Sequence, residues 1–370
     1  MIPVCEPFLN GNELEYVKQA VISNWISSGG GYVSEFEQKF PEYIGVKYAT
    51  LTTSGTTALH LALKAVGIGP GDEVIIPAFT MIACAFSVCY CGAKPVFVDC
   101  DRETWNINPD LIEDKITAKT KAIMAVHIYG HPCDMDSILA IAKKHNLVVL
   151  EDAAEAIGSK YKGKNCGSLS DIACFSFFAN KMITCGEGGA VLTNNQAFFD
   201  KCRYFKNLCF AIDKPREYMH NNIGFNYRLT NVHAAILLAQ LEKADTYINL
   251  RRKHAHHYNE RLKEVKGITL PCEKDWAYNS YWMYAILIEE DFRLNRDSLA
   301  QKLKEQGIDT RPFFISMHRQ KSLADFGCDC SGQYPVTDDI AQRGLYLPSG
   351  SGLKAEQIDF ICDTIAKLNK

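Results

Sequence analysis

Short apolar runs alternate with amphipathic stretches over the first two-thirds of the chain. The runs at 73–76, 95–99, 121–127, 147–150 and 172–178 are rich in Val, Ile, Leu and Phe. Their length and composition predict buried strands. Between several of them apolar residues recur at helical spacing. Over 134–145 the pattern predicts a helix with Asp134 at its start, where a carboxylate can cap the first turn. Strands alternating with helices predict an α/β architecture with a mostly parallel central sheet flanked by helices. The stretch 229–266 reads as a long helical pattern broken near its middle. Beyond it, 281–288 reads as a strand and 297–305 and 355–368 as helices, a smaller α+β unit. We place the division near Asp245, giving a large domain over 1–245 and a small one over 246–370.

Composition adds limits. Of the 370 residues 47% are hydrophobic and 22% charged, enough for a large core. A net charge of −3 implies no broad basic surface, so no nucleic-acid partner is expected. No apolar stretch is long enough to span a bilayer, so no membrane partner is expected. The first residues lack the basic and apolar regions of a signal peptide, which points to the cytoplasm. Fifteen cysteines, an odd number, lie scattered through apolar strands and helices. Free cysteine in such places behaves as a small hydrophobe, and the count suits a reducing compartment. Cys328-Asp329-Cys330 has no matching second pair, so no metal site is expected.

One lysine changes the picture. Lys181 follows the aromatic run Phe175-Ser176-Phe177-Phe178 and precedes Gly186-Glu187-Gly188-Gly189. At a strand end among aromatics, desolvation lowers an amine's pKa, and a neutral amine is what Schiff-base chemistry needs. A solvated strand-end lysine is the plainer alternative. Two further segments weigh against it. In Leu147-Val148-Val149-Leu150-Glu151-Asp152, two acids stand at the carboxyl end of a strand, where α/β sheets bind ligands. Such an acid suits a cationic heterocycle, or else caps the next helix. In Thr53-Ser54-Gly55-Thr56-Thr57, a small-residue turn opens an apolar-periodic helix, which suits an anion or an ordinary N-cap. The chain has neither GxxxxGK[ST] nor a GxGxxG after a strand. Gly67-Ile68-Gly69-Pro70-Gly71 follows a helix and reads as its stop.

A phosphate cradle, a carboxylate for a ring nitrogen and a lysine for an aldehyde come in the order found in one known family. With Trp25-Ile26-Ser27-Ser28, Val126-His127-Ile128-Tyr129-Gly130, Gly224-Phe225-Asn226-Tyr227-Arg228 and Thr310-Arg311-Pro312, the chain resembles the sugar-nucleotide aminotransferases of the DegT/DnrJ type over nearly its whole length. These are fold type I pyridoxal phosphate enzymes. The resemblance implies that Lys181 binds the cofactor aldehyde and moves protons, and that Asp152 pairs with the ring nitrogen. It implies that Gly55, Thr56 and Ser176 hold the cofactor phosphate, with Asn226 reaching over from a second subunit of a homodimer. Glu155 would lie near the cofactor hydroxyl. Met81 stands where the family usually stacks an aromatic ring, a departure that a thioether can fill. Trp25, Ser27, Tyr129, Glu187, Arg228, Arg311 and His318 are candidates for the substrate pocket.

The resemblance implies a nucleotide-linked keto sugar as substrate and L-glutamate as amino donor. Glu155 and His131-Pro132-Cys133-Asp134-Met135 bring the chain nearest to the branch that aminates a GDP-linked 4-keto-6-deoxyhexose at C4, with dTDP- or UDP-linked sugars as alternatives. A related dehydratase branch carries His in place of the lysine, and Lys181 argues against it. A dinucleotide-dependent oxidoreductase would carry a glycine fingerprint after its first strand, which is absent. A non-catalytic ligand-binding relative would lack the lysine or the acid, and both are present.

Overall fold

The computed structural model describes residues 1–370 apart from 213, 214 and 216. Its main sheet has seven strands. Their spatial order is Tyr48–Thr52, Gly189–Thr193, Ile172–Ser176, Val148–Asp152, Thr120–Val126, Glu73–Pro77 and Lys94–Val98. Gly189–Thr193 runs antiparallel to both of its neighbours, and every other pairing in the sheet is parallel.

Period-two alternation assigns the faces of the central strands. Ile75, Ile123 and Val149 pack with Met135, Ile138 and Ala142 on one face. Ile76, Met124 and Leu150 pack on the other, against the helices Gly55–Ala65 and Ala83–Tyr90. Glu151 therefore follows Val149, while Asp152 follows Leu150 to the opposite side. The helix Met135–His145 begins where its cap was expected: Asp134 Oδ2 accepts from the Ser137 hydroxyl at 2.7 Å. The long helical pattern is two helices, Asn231–Leu241 and Ala244–Leu262.

The second sheet has four antiparallel strands in the order Ile268–Thr269, Tyr284–Ile288, Gly344–Leu347 and Arg311–Pro312. Helices Arg296–Glu305 and Ala355–Leu368 pack on it through Leu299, Leu303, Ile358 and Ile361. The strand expected from 281 begins at Tyr284, because Tyr281 has a left-handed φ of 51° that breaks extended backbone. The helix Ala244–Leu262 serves both units. Ala244, Tyr247 and Ile248 join a core cluster of the large sheet. Ala255, Tyr258 and Leu262 join that of the small one. The proposed division near Asp245 falls at its first turn. The chain's first residues lie against the small unit, with Ile2 bridged to Ile308 and the Val4 carbonyl accepting from Ser349 N–H.

All fifteen cysteines are free, and all but Cys5, Cys272 and Cys330 are buried. Among the described residues no helix is long and apolar enough to cross a membrane.

Candidate active site

The carboxyl ends of the parallel strands open into a cavity of about 350 Å³. This volume lies in the range of small-molecule sites, roughly 300–1,000 Å³. The large sheet supplies Gly55, Thr56, Met81, Asp152, Glu155, Ser176, Lys181 and Glu187 to its wall, and the C-terminal part supplies Trp282, Phe314 and Tyr346. Eight residues singled out in the sequence are thus brought together from four separate stretches of chain.

One wall is the start of the helix Gly55–Ala65. Ser54 caps it by accepting from Thr57 N–H at 3.2 Å, and the Thr57 hydroxyl oxygen accepts from Ser54 N–H at 3.0 Å. Gly55 and Thr56 follow in the first turn, where backbone N–H groups lack partners within the helix and favour an anion. Packing is tight here. A Cβ on Gly55 would stand 2.7 Å from Ser176 Cβ, and one on Gly189 would stand 2.3 Å from the Ser54 carbonyl oxygen. Glycine at both positions lets the turn approach the two strand ends.

Asp152 forms part of the floor and is buried. Its Oδ1 accepts from Ala154 N–H at 3.0 Å and its Oδ2 from the Cys84 thiol at 3.0 Å. Glu151, one residue earlier, has no part in the cavity. Its Oε1 accepts from His127 Nε2 at 3.1 Å and Gly167 N–H at 2.6 Å. Its Oε2 accepts from Leu169 N–H at 2.9 Å and the Ser170 hydroxyl at 2.8 Å. Burial alone would push the Glu151 carboxyl up, but His127 and these donors outweigh it and hold it below the usual range. Cys166 Sγ lies within 4.8 Å of the His127 and Glu151 ligand atoms. Both oxygens of that carboxylate already accept two donors, and His127 Nδ1 accepts from Cys133 N–H at 3.0 Å, as a structural pair would.

Lys181 sits in the turn after the strand Ile172–Ser176, with its N–H bonded to the Phe178 carbonyl at 2.9 Å. Its Nζ is 3.6 Å from Glu155 Oε1 and 3.7 Å from the centre of the Trp282 ring. Burial lowers the Lys181 pKa, while Glu155 and Asp152 work against the shift. Burial raises the Glu155 carboxyl to about 7, while Lys181 works against that shift. Both groups are therefore pushed toward their neutral forms. Glu155 is further held by Tyr129 N–H on Oε2 at 2.8 Å. Met81 lines the cavity with 47% of its surface exposed.

The other candidates lie elsewhere. The Tyr129 side chain is buried among Phe79, Phe313 and Trp282, behind the wall, and only its backbone reaches Glu155. Asn226 is exposed, and its backbone is bridged to Asn207. Arg228 donates to Asn207 Oδ1 at 2.8 Å and lines a separate hollow of about 470 Å³ with Ser28, Arg203 and Lys206. Trp25 and Ser27 are exposed, and their carbonyls accept from Asn231. Arg311 is exposed and paired with Asp309. His318 faces Asp338 at 3.3 Å and packs on Tyr334. The sequence reading missed Trp282, Asn180 and Cys84. Trp282 reads as one more aromatic in a strand, and nothing local marks it.

Comparison with known proteins identifies the family. The model of the DegT/DnrJ/EryC1/StrS aminotransferase family matches residues 7–366. The chain is 47% identical over 364 residues to the GDP-perosamine synthase of Escherichia coli O157:H7, covering 98% of this chain and 97% of that one. It is 45% identical to the GDP-perosamine synthase of Caulobacter vibrioides, covering 97% and 95%. The crystal structure of S. venezuelae DesV superposes with a TM-score of 0.91 at 32% identity, covering 97% of this chain and 94% of that one.

Proposed function

This chain belongs to the DegT/DnrJ/EryC1/StrS aminotransferase family, and from that premise we propose that it aminates GDP-4-keto-6-deoxymannose at C4 with L-glutamate as donor, giving GDP-perosamine. It is an enzyme, and pyridoxal phosphate is its cofactor. The residues present fit that group: an anion-ready helix start, a buried carboxylate and a buried lysine amine line one cavity. When bound, pyridoxal phosphate supplies an electron sink for a carbanion at the reacting carbon. Gly55, Thr56 and Ser176 would hold its phosphate and Asp152 its ring nitrogen, with Met81 against the ring and Glu155 near the ring hydroxyl.

The chain's own residues do the rest. Lys181 Nζ takes a proton from one carbon and returns it to another, and its lowered pKa keeps the free amine able to accept. Asp152 would hold a proton on the ring nitrogen of the bound cofactor, because a buried carboxylate stabilises an adjacent cation. Glu155 Oε1 and the Trp282 ring flank the free Lys181 amine, at 3.6 and 3.7 Å, and would steady it between proton transfers. Trp282, Phe314 and Tyr346 line the same cavity and give one side of it an aromatic wall. The observation that carries the reading is the meeting of Lys181, Asp152 and the capped helix start in one cavity.

Identities of 41–47% to three GDP-perosamine synthases, each over at least 97% of the chain, support the substrate. A homodimer with shared sites is part of the proposal. Leu14, Ile22, Trp25 and Ile26, with Met219 and Ile223, leave large apolar side chains exposed, which a subunit interface would cover. We place the enzyme in the cytoplasm, where fifteen free cysteines stay reduced. The test compares kcat/KM for GDP-, dTDP- and UDP-linked 4-keto-6-deoxyhexoses with glutamate in excess. Preference for the GDP sugar is expected. Preference for another nucleotide overturns the perosamine assignment, and activity only on simple keto acids overturns the sugar class.

A further inference from the structure

Buried polar groups without a partner are rare, and each needs a reason. Among the described residues such atoms are Trp105 Nε1, Tyr129 Oη, Asn180 Oδ1, His254 Nδ1 and His318 Nδ1. Only Asn180 belongs to a residue that lines the catalytic cavity. Its main chain is fixed from the far side. The Asn180 carbonyl accepts from Trp282 Nε1–H at 2.8 Å and from the Cys5 thiol at 3.5 Å. The side-chain amide is therefore held beside Lys181 with a carbonyl oxygen that no group of the chain satisfies.

We infer that Asn180 is a specificity residue whose Oδ1 accepts a hydrogen bond from a sugar hydroxyl, the one on the carbon beside the reacting carbonyl. The inference rests on the keto-sugar reading above. An unpaired amide oxygen calls for a donor, and a hexose joined through C1, with a carbonyl at C4 and no oxygen at C6, keeps hydroxyls only at C2 and C3. Asn180 and Lys181 line the same cavity. Of the two neighbours of the reacting C4, C5 carries the ring oxygen and only C3 carries a hydroxyl, so C3 is the partner assigned to Asn180. A site that hydrogen-bonds a hydroxyl rejects analogues lacking it, because its own buried group is then left unpaired. Asn180 would thus admit sugars bearing the C3 hydroxyl and disfavour 3-deoxy ones.

The test measures the two half-reactions of Asn180→Ala and wild type separately, following the cofactor spectrum in single turnover. The substitution leaves the main-chain bond to Trp282 in place. The glutamate half-reaction is expected to change less than about twofold, which also reports an intact fold. The keto-sugar half-reaction should slow roughly tenfold, the size of one neutral hydrogen bond. The amino-sugar product should bind about tenfold more weakly in calorimetry. Removing the C3 hydroxyl from the substrate should cost wild type about ten times more than it costs Asn180→Ala. Equal losses in both half-reactions, or equal 3-deoxy penalties in both proteins, would overturn the inference while leaving the enzyme class intact. A wild type inactive on every keto sugar overturns the functional reading, and this inference with it.

Discussion

Glu151→Gln tests the strut that holds the catalytic strand. The carboxylate accepts four donors with two oxygens: His127 and Gly167 on one, Leu169 and Ser170 on the other. An amide keeps the shape but turns one acceptor into a donor. With its NH₂ toward His127 and Gly167, two fixed donors face a third. With its NH₂ toward Leu169 and Ser170, the Ser170 hydroxyl can turn away to Ile172 O, to which it already lies at 3.0 Å. Leu169 N–H then stays unsatisfied. A buried donor left unpaired costs about 1–3 kcal/mol, and the bonds to His127 and Gly167 lose their charge assistance, about 1 kcal/mol each. The expected loss is about 3–5 kcal/mol, the range for breaking a buried ion pair. Urea unfolding of the apoenzyme, followed by tryptophan fluorescence, measures it. Ser170→Ala, which removes one of four donors, should cost only about 1 kcal/mol. Because the folded Glu151 carboxyl lies below its unfolded value, its contribution is present above the unfolded pKa near 4.5 and fades as pH falls through the lower folded value. Wild type should therefore lose stability on acidification and Glu151→Gln lose less. A cost below about 1 kcal/mol at pH 7, or an unchanged acid limb, refutes the strut.

Four further outcomes follow from the site. Lys181→Ala should abolish turnover while cofactor still binds, detectable by dialysis and absorbance; normal transamination would sink the assignment. Asp152→Asn should cut kcat strongly with little change in unfolding midpoint, since one charge-assisted bond is worth about 1.5–3 kcal/mol; full activity with an unshifted cofactor spectrum would count against it. Glu155 keeps its proton in the folded apoenzyme up to about pH 7, against 4.5 unfolded, so its share of stability is present below 4.5 and is lost as pH rises through 7. Glu155→Gln should flatten that fall by up to about 3 kcal/mol in pH-dependent unfolding, and an unchanged slope would refute the shift. Mixing Asn226→Ala with Lys181→Ala protein should regain activity in hybrid dimers, and an active protein that sediments as a monomer would exclude the shared site.

The parts of this enzyme legible in the chain were those written in local periodicity. Apolar runs of four to seven residues marked the parallel strands, and the acids at 151 and 152 stood at a strand end in the sequence itself. Period-two alternation required them to face opposite ways, yet which one faces the cavity depended on which helices cover each side. Ser54 and Asp134 acted as caps because capping is decided within one turn. Tertiary structure alone brought Trp282 over Lys181 from a hundred residues away, and set Cys84 on Asp152 and Tyr129 N–H on Glu155. It also kept Asn226, Arg228, Arg311 and His318 out of the cavity lined by Lys181, although their motifs stand in the same family pattern. Backbone preference and side-chain period act over one to four residues, whereas these contacts follow from strand order and the packing of the C-terminal unit, which no local pattern encodes.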